Sequence, residues 1–174
     1  MGKMTEERKA GSFADSRDRA NVTLIGMPAA GKSTVGVLLA KRLGYAFVDV
    51  DLVIQEQENR LLKEIIADEG MDGFMAVENR VNASLDVQKS VIAPGGSVIY
   101  GEEAMELLKR LGDVVDRGVV LKEGMTLQDL YEERISYFEK YADIMVDEEG
   151  KNLGQVVDEL RGLLEQRLGL LQGE

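Results

Sequence analysis

The chain has 174 residues, enough for one compact domain that buries about 70% of its unfolded surface. Acidic residues outnumber basic ones, 32 to 21, and the net charge of −11 argues against nucleic acid as a partner. Cysteine and histidine are both absent, which excludes disulfides, thiolate metal sites, a cysteine nucleophile and the usual imidazole base. Residues 1–20 mix charges (Glu6, Arg8, Asp15, Arg17) without an apolar period and read as a frayed or helical extension, outside a single domain over 21–172. No apolar run reaches the length of a membrane span, so no membrane partner is expected and the cytoplasm is the default compartment.

The apolar run Val22-Thr23-Leu24-Ile25 predicts the first strand, and Val35, Leu38, Leu39 and Leu43 behind it keep helical spacing. Between them stands Gly26-Met27-Pro28-Ala29-Ala30-Gly31-Lys32-Ser33-Thr34, the pattern G-x-x-x-x-G-K-[ST] in its strand–loop–helix context. Gly26 and Gly31 let the backbone bend tightly and turn N–H groups toward phosphate oxygens. The start of the following helix adds unpaired N–H groups and a positive dipole end. Gly26, Ala29, Ala30, Gly31, Lys32, Ser33 and Thr34 are therefore the expected nucleotide contacts. Lys32 is expected on the β- and γ-phosphates of ATP, and the Ser33 hydroxyl on Mg²⁺. Asn21-Val22-Thr23 and Asn82-Ala83-Ser84 match the glycosylation acceptor pattern, and without a secretory context both read as chance.

Tyr45 to Asp51 predicts a short strand ending in two acids, Asp49 and Asp51, which would share one face of an extended backbone. One could hold Mg²⁺ through water while the other orients an acceptor hydroxyl; the bland alternative is a solubilising strand end. Leu61, Leu62, Ile65 and Ile66 mark a helix, Gly70 and Gly73 a turn, and Val77, Val81 and Leu85 a second helix from about Phe74 to Val87. Ser90 to Ala93 reads as a buried strand running into the turn Pro94-Gly95-Gly96-Ser97. A helix over Glu102 to Leu111 follows, then a capping-box start at Thr126 for a helix to about Lys140, then the strand Ile144 to Val146. Asn152 caps a last helix whose stripe of Leu153, Val156, Val157, Leu160, Leu163, Leu164 and Leu168 reads as core, with a dimer seam as the alternative. Strands alternating with helices predict a parallel α/β sandwich, with ligands beyond the carboxyl ends of the strands.

Together these residues resemble the shikimate kinase family. The likeness runs from about Asn21 to Leu160 and rests on the phosphate loop, Asp49 with Asp51, Ile65 with Gly70, Phe74 through Glu78, Gly95-Gly96, and Arg134 followed by Tyr141-Ala142-Asp143. The resemblance implies a three-layer P-loop kinase sandwich with a central parallel sheet of four to five strands. It implies an ATP- and Mg²⁺-dependent kinase on the way to the aromatic amino acids, acting on a hydroxyl of shikimate or a similar small hydroxy acid. Asp49 and Ser33 then serve the metal, Asp51 the substrate hydroxyls, Gly95 and Gly96 the ring, and Arg134 the carboxylate. A lid-like segment over about 110–125 would bring Arg110 near adenine and Arg117 to the transferring phosphoryl group. A monomer is expected, with a dimer as the alternative.

Three departures stand out. Met75 occupies a position where the family usually has arginine, Ser97 replaces a third glycine, and Arg134 lacks the Pro-Leu-Tyr that commonly follows. Between Gly101 and Arg117 one strand and its helix look missing, with Val114-Val115 or Val119-Val120-Leu121 as substitutes. A kinase for another alcohol such as gluconate, and an ATP-binding module with impaired catalysis, are the alternatives that follow.

Overall fold

The computed structural model describes residues 20–27, 31–117 and 127–168. The elements in chain order are β1 (Asn21–Gly26), α1 (Lys32–Leu43), β2 (Ala46–Asp49), α2 (Val50–Glu58), α3 (Leu62–Ala83) and β3 (Ser90–Ala93). A single 3-10 turn, Val98–Tyr100, leads into α4 (Glu102–Leu111), then β4 (Gly112–Arg117), α5 (Leu127–Tyr141), β5 (Ile144–Val146) and α6 (Leu153–Leu168). The five strands form one sheet in the order β2-β3-β1-β4-β5, with every neighbouring pair parallel.

β1 is central and wholly buried, which is why it reads as a continuous apolar run instead of an alternating one. Its residues still part by face. Val22 and Leu24 join Val35, Leu39 and Ala40 of α1 and Val156, Val157, Leu160 and Leu164 of α6 on one side of the sheet. Ile25 joins Ile54, Ile65, Phe74, Val77, Val81, Met105, Leu108 and Phe138 of α2 to α5 on the other. The result is the three-layer sandwich that the alternation of strands and helices predicts. Most of the leucine stripe of α6 packs inward, although Leu153 remains 41% exposed.

The strand expected to be missing is present. Gly112–Arg117 pairs in register with all of β1, from Asn21 opposite Gly112 to Gly26 opposite Arg117, and carries β5 on its far edge. Val114-Val115 is the substitute that the structure uses; Val119-Val120-Leu121 lies outside the described residues. Residues 118–126, between β4 and α5, lie outside the described residues. The lid-like segment over 110–125 is corrected in the same way, because 110–117 belong to the end of α4 and to β4.

Two smaller expectations also change. The second strand stops at Asp49, and Val50–Glu58 forms a helix that the sequence reading passed over. Asp49 caps it, its side chain accepting from the Asp51 amide at 3.1 Å. The expected turn near Gly70 is a kink inside one long helix, with Gly70 at φ +72°, while Gly73 stays helical. Both sequon asparagines are buried: Asn21 holds the Val87 carbonyl and the Ser90 amide, and Asn82 the Glu78 carbonyl. No helix among the described residues is long and apolar enough to cross a membrane.

Candidate active site

The loop after β1 opens at Gly26, with φ +146°, and closes at Gly31, whose φ of +69° lies in the left-handed region that a side chain disfavours. Gly31 is the N-cap of α1, and no side chain caps that helix start, the kind of helix end at which anions bind. Lys32 is buried, and its ammonium donates to the carbonyls of Gly26 at 3.2 Å and Met27 at 2.9 Å. The lysine is thus already folded over the loop it serves. Ser33 and Thr34 are exposed on the first turn of α1. Ala29 and Ala30 lie outside the described residues.

The Ser33 hydroxyl donates to Asp49 Oδ2 at 2.8 Å, and Asp49 Oδ1 accepts from the Asp51 amide. One carboxylate therefore ties the phosphate-loop helix to the start of α2. Asp49 and Asp51 do not share the face of a strand; Asp51 sits in the first helical turn, half-buried. Burial, then the neighbouring Asp49 charge, raises the Asp51 pKa, while Lys32 opposes the shift. Ser33 and Asp49 offer hard oxygen donors of the kind Mg²⁺ accepts when phosphates and water complete its shell. No larger group of potential metal ligands occurs among the described residues.

The acceptor side is built by the turn after β3. Gly95 is buried, and a Cβ there would land on Glu78 Oε1, with Asp51 Oδ1 3.3 Å away. A side chain at position 95 would have to displace the Glu78 carboxylate from this point, where it approaches Asp51. Arg134 of α5 is buried, donates to the Gly96 carbonyl at 2.8 Å and lies 5.2 Å over the Tyr100 ring. Its Nε has no hydrogen-bond partner. Tyr100 in turn stacks edge-on with Tyr137 and donates its hydroxyl to Glu133 at 2.5 Å, so the arginine rests against a braced ring. Asp51, Gly95, Gly96 and Arg134, which the resemblance assigns to the substrate, lie around this one turn.

The two lid arginines are not brought together. Arg110 is exposed on the last turn of α4, its Nε donating to the Glu106 carbonyl at 3.4 Å. It precedes β4, whose first residue is level with Asn21, so it stands about a strand length, roughly 15–20 Å, from the phosphate-loop end of the sheet. That position removes it from the adenine role. Arg117 closes β4, level with Gly26 and Val146, so its backbone is beside the phosphate loop. The side chain on which its expected role depends lies outside the described residues.

Sequence reasoning assigned no role to Glu78. It is 1% exposed, and the Ser97 hydroxyl donates to its Oε2 while Oε1 has no partner. Burial pushes its pKa up to about 7, with Asp51 adding to the shift and Ser97, Lys32 and Arg134 opposing it. The signal was available: Phe74, Val77, Glu78 and Val81 keep the apolar spacing of a core face, and one of the four is an acid. Met75, Glu78, Asn79, Ser97, Val98 and Tyr100 help to line a cavity of about 390 Å³ beside this turn.

A parallel sheet in this order, a phosphate loop after its central strand and an acid pair after its edge strand define a P-loop phosphotransferase for small molecules. The family model for shikimate kinase matches residues 28–121, more than half of the chain. A shikimate kinase from Persephonella marina is 31% identical over 160 residues, which cover 82% of this chain and 97% of that one. Shikimate kinase from Acinetobacter baumannii, solved in complex with shikimate, superposes with a TM-score of 0.74 at 26% identity, covering 92% of this chain and 99% of that one. The chain belongs to the shikimate kinase family. A gluconokinase from Sinorhizobium meliloti, at 16% identity and a TM-score of 0.50 over 89% of this chain and 97% of its own, shares the fold alone.

Proposed function

We propose that this chain transfers the γ-phosphoryl group of ATP to a hydroxyl of shikimate or a closely similar small hydroxy acid. One observation carries the reading. A buried arginine with a spare N–H, a half-buried aspartate and a glycine turn face one another at the same end of the sheet as the phosphate loop. Arg134 Nε meets a carboxylate, and Asp51 accepts from the reacting hydroxyl. As the acceptor oxygen bonds to the γ-phosphorus, the bond to the bridging oxygen of ADP breaks and the hydroxyl proton passes to Asp51. A raised pKa makes Asp51 a better proton acceptor than an exposed carboxylate.

Gly26, Gly31 and the first amides of α1 hold the phosphates, and Lys32 exchanges its carbonyl partners for phosphate oxygens. Ser33 and Asp49 would hold Mg²⁺, which supplies charge neutralisation at the β- and γ-phosphates. No histidine is needed, since such transfers depend chiefly on positioning and charge. An ATP-dependent kinase of a metabolite is expected in the cytoplasm. The case for an impaired module rested on a lost strand, and the five-stranded sheet removes that ground.

The test is steady-state ADP release with ATP and Mg²⁺, with shikimate present or absent. Release at least a hundredfold faster with shikimate is the expected result. No acceleration by shikimate, with ATP still raising the melting temperature, would overturn the acceptor and leave the nucleotide site standing.

A further inference from the structure

Glu78 sits where an ionised carboxylate is poorly tolerated. Its side chain is buried beneath the glycine turn, one oxygen accepts from Ser97, and the other faces Gly95 and Asp51 with nothing to pair with. The groups that face it are Asp51 from α2, Lys32 from α1, Arg134 from α5 and Ser97 from the turn, and Glu102 and Glu103 of α4 line the adjoining cavity. Neither cation pairs with it directly: Lys32 is held by the phosphate-loop carbonyls and Arg134 by Gly96. A buried acid in that position completes its hydrogen bonds by keeping its proton.

We propose that Glu78 enters the reaction cycle as a neutral carboxyl group whose Oε1–H is turned toward Asp51 beneath the glycine turn, so that binding of an anionic acceptor requires that proton. The inference rests on the acceptor being a hydroxy acid, as proposed above. Because the Ser97 hydroxyl occupies Oε2, the proton belongs on Oε1, toward the point where Gly95 leaves room and Asp51 approaches. The charge balance gives the reason. With Glu78 neutral, Arg134 is matched by Asp51, and the carboxylate of the acceptor meets no uncompensated negative charge. With Glu78 ionised, a buried and a half-buried carboxylate stand together at the glycine turn and repel an anion. A pKa near 7 puts that change within the ordinary working range. Glu78 becomes a specificity-determining residue that admits an acid at neutral pH and rejects it as the pH rises.

The experiment measures shikimate KM from pH 6.0 to 8.5 at saturating ATP and Mg²⁺, for the wild type and for Glu78→Gln, a neutral isostere. A carboxylate of ordinary pKa stays ionised throughout that range, so the acceptor contributes no titration of its own. The wild-type KM is expected to rise about tenfold or more above pH 7, with kcat changing much less, while the Glu78→Gln KM stays flat. A flat wild-type KM, or the same rise in both proteins, would overturn the proposal. If shikimate supports no turnover in either protein, the acceptor reading is what has failed. The proton is then read directly by carboxyl ¹³C NMR of the free protein. A carboxyl titrating near pH 7 that disappears in Glu78→Gln supports the proposal, and titration of every carboxyl below about pH 5 overturns it.

Discussion

At the residue scale the site depends on a few side chains held by partners outside the chemistry. Arg134 is placed by the Gly96 carbonyl and by the face of Tyr100, which Glu133 and Tyr137 brace in turn. An arginine fork can keep those contacts and still offer Nε to a carboxylate, whereas a lysine ammonium cannot do both. Arg134→Lys is therefore expected to raise the acceptor KM about tenfold or more, with the ATP KM unchanged; steady-state kinetics with each substrate varied in turn will check it. Most of this arrangement was legible in the sequence, because a phosphate loop, paired acids and a glycine pair are patterns of residue type at fixed spacing. Glu78 was legible only as an acid on an apolar helix face; the depth of its burial and the opposite wall at Gly95 are what the sequence hides. Asp51 was found for a geometric reason that proved wrong, since a helix begins between the two acids.

The elements show where reading by pattern fails and where it holds. Gly112-Asp113-Val114-Val115-Asp116-Arg117 has two apolar residues in six, a signal too weak to choose Val114-Val115 over Val119-Val120-Leu121 as the strand. Its place comes from the backbone ladder with β1, which pairs all six positions whatever their side chains are. The α6 stripe is the contrary case. Its leucines and valines at helical spacing declare a buried face, and Leu160 and Leu164 meet Leu24 and Leu39 beneath the sheet. Leu160→Ala should lower the unfolding free energy by about 2–5 kcal/mol, since it opens a cavity in a closely packed layer. Leu153→Ala, at the exposed end of the same stripe, should cost well under about 1 kcal/mol. Urea titrations of the two variants make the comparison. Equal losses would mean that the outer end of the stripe is covered as well.

For the whole molecule, one buried acid makes stability depend on pH. The folded pKa of Glu78, about 7, lies above the ordinary glutamate value near 4.5, so between those limits the native state holds a proton that the unfolded chain has released. Its stabilising contribution is complete below pH 4.5 and lost as pH rises through 7. The wild type should accordingly lose about 2 kcal/mol relative to Glu78→Gln between pH 5.5 and 8, as measured by denaturant unfolding at each pH. The position of β1 has a consequence for the making of the protein. This wholly buried strand waits for its partners: Ser90, where the first begins, lies 69 residues beyond Asn21, and the other begins later still. During synthesis at about 5–20 residues per second, this apolar ribbon leaves the ribosome several seconds before any strand exists to pair with it.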